Sequence, residues 1–157
     1  MRESSNGGNV TRRQMIVTMS AAAFAALSLP TGEALETPAD VAAKVKAVVG
    51  DRKAKSGRIK MELPEIAENG ATVPLTVTVD SPMTAKDYVK SVHFFAEKNP
   101  NPELATFYFT PRSGKAMASA RIRLAKTQNV VTVATMSDGS VYMNKTQVKV
   151  TIGGCGG

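Results

Sequence analysis

The sequence predicts a mainly β domain, an antiparallel sandwich entered through one short helix. Three observations lead there. From Ile59 onward, apolar residues alternate with polar ones in short runs. Clusters of Gly, Pro, Asn and Asp separate those runs at fairly even spacing. Helical periodicity is confined to one stretch of the body, Val41, Val45, Val48 and Val49.

Taken in order, Thr37-Pro38-Ala39-Asp40 reads as a helix start. Thr37 can cap, Pro38 suits the first turn, and Asp40 complements the N-terminal dipole. Gly50 supplies the stop. After Asp51 the period changes to two: Ile59, Met61 and Leu63 alternate until Pro64 breaks the run. Asn69-Gly70 is a turn signal, and Val73, Leu75, Val77 and Val79 then alternate with threonines and Pro74. Further strands are expected at Val89 to Phe95, Leu104 to Phe109, Met117 to Leu124, Val130 to Met136 and Val148 to Ile152. Between them lie Asn99-Pro100-Asn101-Pro102, Ser113-Gly114 and Asp138-Gly139, all turn or loop chemistry. About six to eight short strands of this kind argue an immunoglobulin-like sandwich. The Cys…Trp…Cys of antibody domains is absent, so the likeness is one of architecture.

The most informative residues are the last five, Gly153-Gly154-Cys155-Gly156-Gly157, because Cys155 is the single cysteine of the 157 residues. It has no second cysteine to pair with. With glycine on both flanks it has no steric shield and nearly full backbone freedom. If the last strand ends at Ile152, three residues carry the thiol about 10 Å beyond it. The expectation is a flexible arm of Gly153, Gly154, Gly156 and Gly157 that inserts Cys155 into pockets of other proteins.

At the other end, Thr11-Arg12-Arg13-Gln14-Met15 precedes an uncharged stretch, Ile16 to Leu29. Basic residues, a short apolar run and then small residues make a secretory signal, and the paired arginines point to the twin-arginine route. The run is about fourteen residues, too short for a span that needs about twenty. Gly32-Glu33-Ala34 fits a cleavage site, as do other positions nearby. The expected organisation is a signal peptide over 1–34, the sandwich with its helix over 35–152, and the arm over 153–157.

Removing 1–34 takes away three arginines and two glutamates, so the net charge moves from +7 to +6. The remaining basic residues are dispersed (Lys44, Lys46, Arg52, Lys53, Lys55, Arg58, Lys60, Lys86, Lys90 and onward) and not interleaved with aromatics. That argues against a nucleic-acid surface and for attraction of small anions or an acidic partner. Other chemistry is sparse. His93 is the sole histidine and falls within a predicted strand, where a structural role is expected. Glu62, Glu65 and Glu68 read as surface carboxylates. Of the eight methionines, Met15 and Met19 lie in the signal, and Met61, Met83, Met117, Met136 and Met143 are scattered, which suits core filling better than copper. No catalytic residues, metal ligands or cofactor-binding loop are expected: one thiol without a catalytic apparatus describes a substrate carrier better than an enzyme.

The GGCGG terminus, the export signal and the β-rich body together resemble the Y subunit of the bacterial thiosulfate-oxidising Sox system. The stretches Asp80-Ser81-Pro82-Met83-Thr84, Phe95-Ala96-Glu97-Lys98-Asn99-Pro100-Asn101-Pro102 and Met136-Ser137-Asp138-Gly139-Ser140 are similar to that family as well. The resemblance spans essentially the whole mature chain. It implies a periplasmic sulfur carrier in which Cys155 is conjugated to thiosulfate by a haem-containing cytochrome. A hydrolase then releases sulfate, leaving a persulfide, and a sulfane dehydrogenase acts where present. It also implies a heterodimer with the small Z subunit. Two other readings stay open. One is a secreted structural sandwich dimerised by a Cys155 disulfide. The other is a ubiquitin-like sulfur carrier ending in Gly156-Gly157, which the export signal opposes.

Overall fold

The computed structural model describes residues 38–154. The expected signal peptide, Thr37, and Cys155, Gly156 and Gly157 lie outside the described residues. The chain forms a helix α1 (Pro38–Val49) followed by eight strands. They are β1 (Ile59–Glu62), β2 (Ile66–Asn69), β3 (Val73–Val79), β4 (Val89–Ala96), β5 (Glu103–Tyr108), β6 (Ala116–Ile122), β7 (Gln128–Met136) and β8 (Val141–Ile152). They make a three-stranded sheet in the order β1-β3-β6 and a five-stranded sheet in the order β2-β8-β7-β4-β5. This is the mainly β, immunoglobulin-like sandwich with a short N-terminal helix that the sequence predicts.

Period-two burial builds the core between the sheets. In β3, Val73, Leu75, Val77 and Val79 are buried, while Pro74, Thr76 and Thr78 point away. Pro74 is tolerated in this central strand because β1 pairs only from Thr76 to Val79, leaving that side of Pro74 without a ladder. From the opposite sheet come Val92, Phe94 and Ala96 of β4, and Val130, Ala134 and Met136 of β7. Phe94 is fully buried and meets Phe107 edge-to-face at 6.0 Å between ring centres. Phe94→Ala is expected to cost about 3–5 kcal/mol, read from denaturant unfolding.

The other face of the five-stranded sheet is apolar too. Phe95, Val131, Val133 and Val141 pack against Val41 and Val49 of α1, with Val45, Val48 and Ala54 at the margin. The helical spacing of these valines therefore places one stripe on the sheet. Gly50 ends the helix at φ +64°, donating its N–H to the Lys46 carbonyl at 2.6 Å. Because β4 and β7 are covered on both faces, they read as nearly unbroken apolar runs.

Two elements depart from the sequence reading. β2 is a strand where only surface carboxylates and a turn were expected, and it joins β8 in parallel, in an otherwise antiparallel sandwich. Pro64 lies between β1 and β2, where the chain changes sheet. β8 starts at Val141 instead of Val148. Its first half carries Tyr142, Asn144 and Thr146, only half-buried, so it shows no apolar alternation. Asn144 donates to the Ile59 carbonyl at 3.1 Å, and the Arg58 guanidinium lies over the Tyr142 ring at 5.3 Å.

Candidate functional site: the root of the cysteine arm

Cys155 follows directly on the described chain, so the geometry of its neighbours sets where the thiol leaves the body. β8 runs beside β2 until Asn69 stands opposite Ile152. Asn69 then turns the chain, its side-chain oxygen accepting from the Ala71 N–H at 2.8 Å. The turn brings Gly70 against the end of β8: its N–H donates to the Ile152 carbonyl at 2.7 Å. The Gly70 carbonyl accepts from the Leu124 N–H at 2.8 Å, and the Leu124 carbonyl accepts from the Gly154 N–H at 3.0 Å. Four hydrogen-bonded segments thus close around residues 153 and 154.

The approach is close enough to require glycine. A Cβ on Gly70 would run into the Leu124 carbonyl oxygen and stand 2.8 Å from the Gly154 nitrogen. A Cβ on Gly153 would overlap the Ala125 carbonyl oxygen, and one on Gly154 the Gly70 backbone. Gly153 and Gly154, expected to open a free arm, instead rest on the body. Their lack of a side chain serves contact at this point, and the held chain extends through Gly154. Ile152 just before them is 66% exposed.

Sequence reasoning did not single out Gly70, Leu124 or Ala125 as partners of the arm. The Asn69-Gly70 dipeptide carried a signal, but only for a turn. Around the root, Lys98, Arg123 and Lys126 are exposed and Lys98 reaches the Thr127 carbonyl at 3.4 Å. These cations lie in the two loops that border the arm.

His93 sits elsewhere, on strand β4. Its Nε2 is 3.0 Å from the Ser91 hydroxyl and its Nδ1 3.0 Å from the Thr106 hydroxyl, so both ring nitrogens are engaged. The ring stacks on Phe95. Burial lowers its pKa below the ordinary histidine value, against an opposing pull from Glu103. The folded state therefore favours the neutral ring. Stability from this group is present above the ordinary histidine pKa and declines as pH falls below it. His93→Gln should flatten that part of a melting-temperature profile against pH. Among the described residues, no three of His, Cys, Asp or Glu gather as a metal site, and no helix is long and apolar enough to cross a membrane.

A two-sheet sandwich with no catalytic constellation among its described residues, and with its single thiol carried just past a glycine-locked strand end, has the form of a covalent carrier. The comparisons give the family. Residues 45–155 match the model of the sulfur oxidation protein SoxY, so the chain belongs to the SoxY family, carriers in sulfur oxidation. Among solved structures, the chain is similar to the sulfur carrier protein SoxY from Chlorobium limicola f thiosulfatophilum. The two are 34% identical, with TM-score 0.62, over 74% of this chain and all of that one. Superoxide reductase (neelaredoxin) E23A from Ignicoccus hospitalis matches at 20% identity and TM-score 0.54, over 76% of this chain and 97% of that one. A superoxide reductase from Thermotoga maritima matches at 15% identity and TM-score 0.53, over 62% and 93%. The last two share the fold alone. No curated protein sequence matches the chain.

Proposed function

We propose that Cys155 is the covalent attachment point of a periplasmic sulfur carrier, exported by the twin-arginine route, that passes thiosulfate-derived sulfur between enzymes of the Sox pathway. The observation that carries this reading is the single cysteine, set in Gly-Gly-Cys-Gly-Gly, in a chain of the SoxY family. The thiolate is the reactive form. In loading, the Cys155 thiolate bonds to the sulfane sulfur of thiosulfate, and the two electrons released pass to a haem-containing cytochrome. The product is a cysteine S-thiosulfonate. Water then attacks the terminal sulfonate sulfur on a hydrolase, the S–S bond to it breaks, and sulfate leaves with a persulfide remaining on Cys155. A sulfane dehydrogenase, where present, oxidises that persulfide further. The chain itself supplies no acid, base or cofactor to these steps. Its part is to hold the sulfur and present it, and the exposed Lys98, Arg123 and Lys126 favour anionic cargo.

Intact-mass spectrometry of protein from its native host tests this. Sulfane-sulfur or thiosulfate adducts on Cys155 are the expected result. A bare disulfide dimer alone, or a C-terminal thiocarboxylate, overturns it.

The carrier is also proposed to work as a heterodimer with the Z subunit. Tyr108 on the edge strand β5 is 78% exposed and Ile66 on the edge strand β2 is 59% exposed, which suits an apolar contact. Co-purification with a smaller β-sandwich partner is expected, across an interface of about 1,600 Å². A fully active monomer in sedimentation at micromolar concentration contradicts it.

A further inference from the structure

The hydrogen bonds that hold the arm's root continue inward, into a buried pair of side-chain amides. Asn99 is 4% exposed and Gln128 1% exposed, two of only four buried polar residues among those described. Asn99 grips the chain on either side of Leu124. Its Nδ2 donates to the Arg123 carbonyl at 2.8 Å, and its Oδ1 accepts from the Ala125 N–H at 2.9 Å. The same Oδ1 accepts from Gln128 Nε2 at 2.7 Å, and Gln128 Oε1 accepts from the Lys98 N–H at 2.6 Å. Each amide is thereby oriented. Turning the Asn99 group over would set its NH2 against two donors.

With the polar groups on both sides of it taken, Leu124 has its own N–H and carbonyl directed to Gly70 and Gly154. Its side chain is fully buried in the inter-sheet core. Leu124 is thus fixed by its side chain, and its backbone is framed by Asn99.

We propose that Asn99, backed by Gln128, is a positioning residue for the cysteine arm: it holds the Arg123–Ala125 segment so that the Leu124 carbonyl clamps Gly154 and sets the point from which Cys155 departs. This rests on the carrier reading of Cys155 and deepens it. Only one residue separates the clamp from the thiol-bearing residue, about 3.8 Å between α-carbons. A partner's pocket therefore meets the thiol close to the edge formed by Gly70 and Ala125. An enzyme that recognises the body finds the sulfur at a defined place, which saves much of the search a long free arm would require.

Amide hydrogen exchange on the purified protein is the first test. The Gly154 N–H should exchange at least about tenfold slower than an unstructured glycine amide. Exchange at the unstructured rate overturns the clamp with no variant needed. Asn99→Ala should then speed Gly154 exchange by about tenfold, while Val92→Ala, which weakens the inter-sheet core away from the arm, should not. Equal acceleration in the two variants makes Asn99 merely structural and overturns the proposal. Should Asn99→Ala fail to fold, Gln128→Met removes the donor to Asn99 and takes the same comparison.

The functional arm measures enzymatic loading of Cys155 with thiosulfate against its reaction with a small free thiol reagent. Asn99→Ala should lower loading by about three- to tenfold and change the reagent rate less than about twofold. Faster Gly154 exchange with unchanged loading overturns the positioning role and leaves the carrier reading standing, because that reading falls only if Cys155→Ser still supports turnover.

Discussion

Cys155→Ser is expected to reduce thiosulfate-dependent turnover in a reconstituted pathway to the level seen with no carrier at all, with unfolding unchanged. Both halves have a physical basis. A serine hydroxyl does not ionise near neutral pH and forms no S–S bond, so neither the thiosulfonate nor the persulfide has an anchor. Stability should stay within about 0.5 kcal/mol of the parent. The two apolar clusters are closed by residues between Val41 and Val148, and β8 is paired on both sides before the arm begins. Turnover retained by a correctly folded serine variant would remove the covalent-carrier reading.

The parts of this fold legible in the sequence are those in which one rule acts alone. Val73, Leu75, Val77 and Val79 alternate because one face of β3 is buried and the other is not, and the strand is found where the pattern puts it. The valines of α1 are legible for the same reason at period 3.6. β2 is not, since its four residues bury only Ala67 and its place depends on a distant strand, β8. The first half of β8 was missed because the residues on its inward face are polar, satisfied by Arg58 and the Ile59 backbone.

The arm shows a different limit. A glycine needed for freedom and a glycine needed for close approach are the same letter. Only the positions of Gly70, Leu124 and Ala125 separate the two at Gly153 and Gly154, and those residues lie about thirty to eighty positions away in the chain. Asn99 was equally hidden. Inside Asn-Pro-Asn-Pro it carries loop chemistry, yet its side chain is buried and structural.

Replacing both Gly153 and Gly154 with valine is expected to lower enzymatic loading of Cys155 by about tenfold or more. Two effects act together. The new Cβ atoms would overlap the Ala125 carbonyl oxygen and the Gly70 backbone, and these are main-chain atoms that cannot swing aside. The root must therefore lift away, breaking the hydrogen bond from Gly154 to Leu124 and moving the thiol from its place at the sheet edge. A displacement of about 1 Å at a reacting group can cost a hundredfold in rate, so tenfold is a conservative expectation. The branched side chains also stiffen the backbone and add bulk beside the sulfur, which a narrow partner pocket rejects. The small-reagent reaction is the control. It needs only an accessible thiolate, whose ordinary pKa is about 8.5, and should change less than about twofold. Alanine at the same two positions separates the contributions: it keeps the backbone overlap but adds little bulk. If alanine already gives most of the loss, the close approach dominates; if only valine does, pocket access dominates. Equal losses with enzyme and with free reagent would mean that the glycines tune the sulfur itself, and positioning would have to be given up as their role.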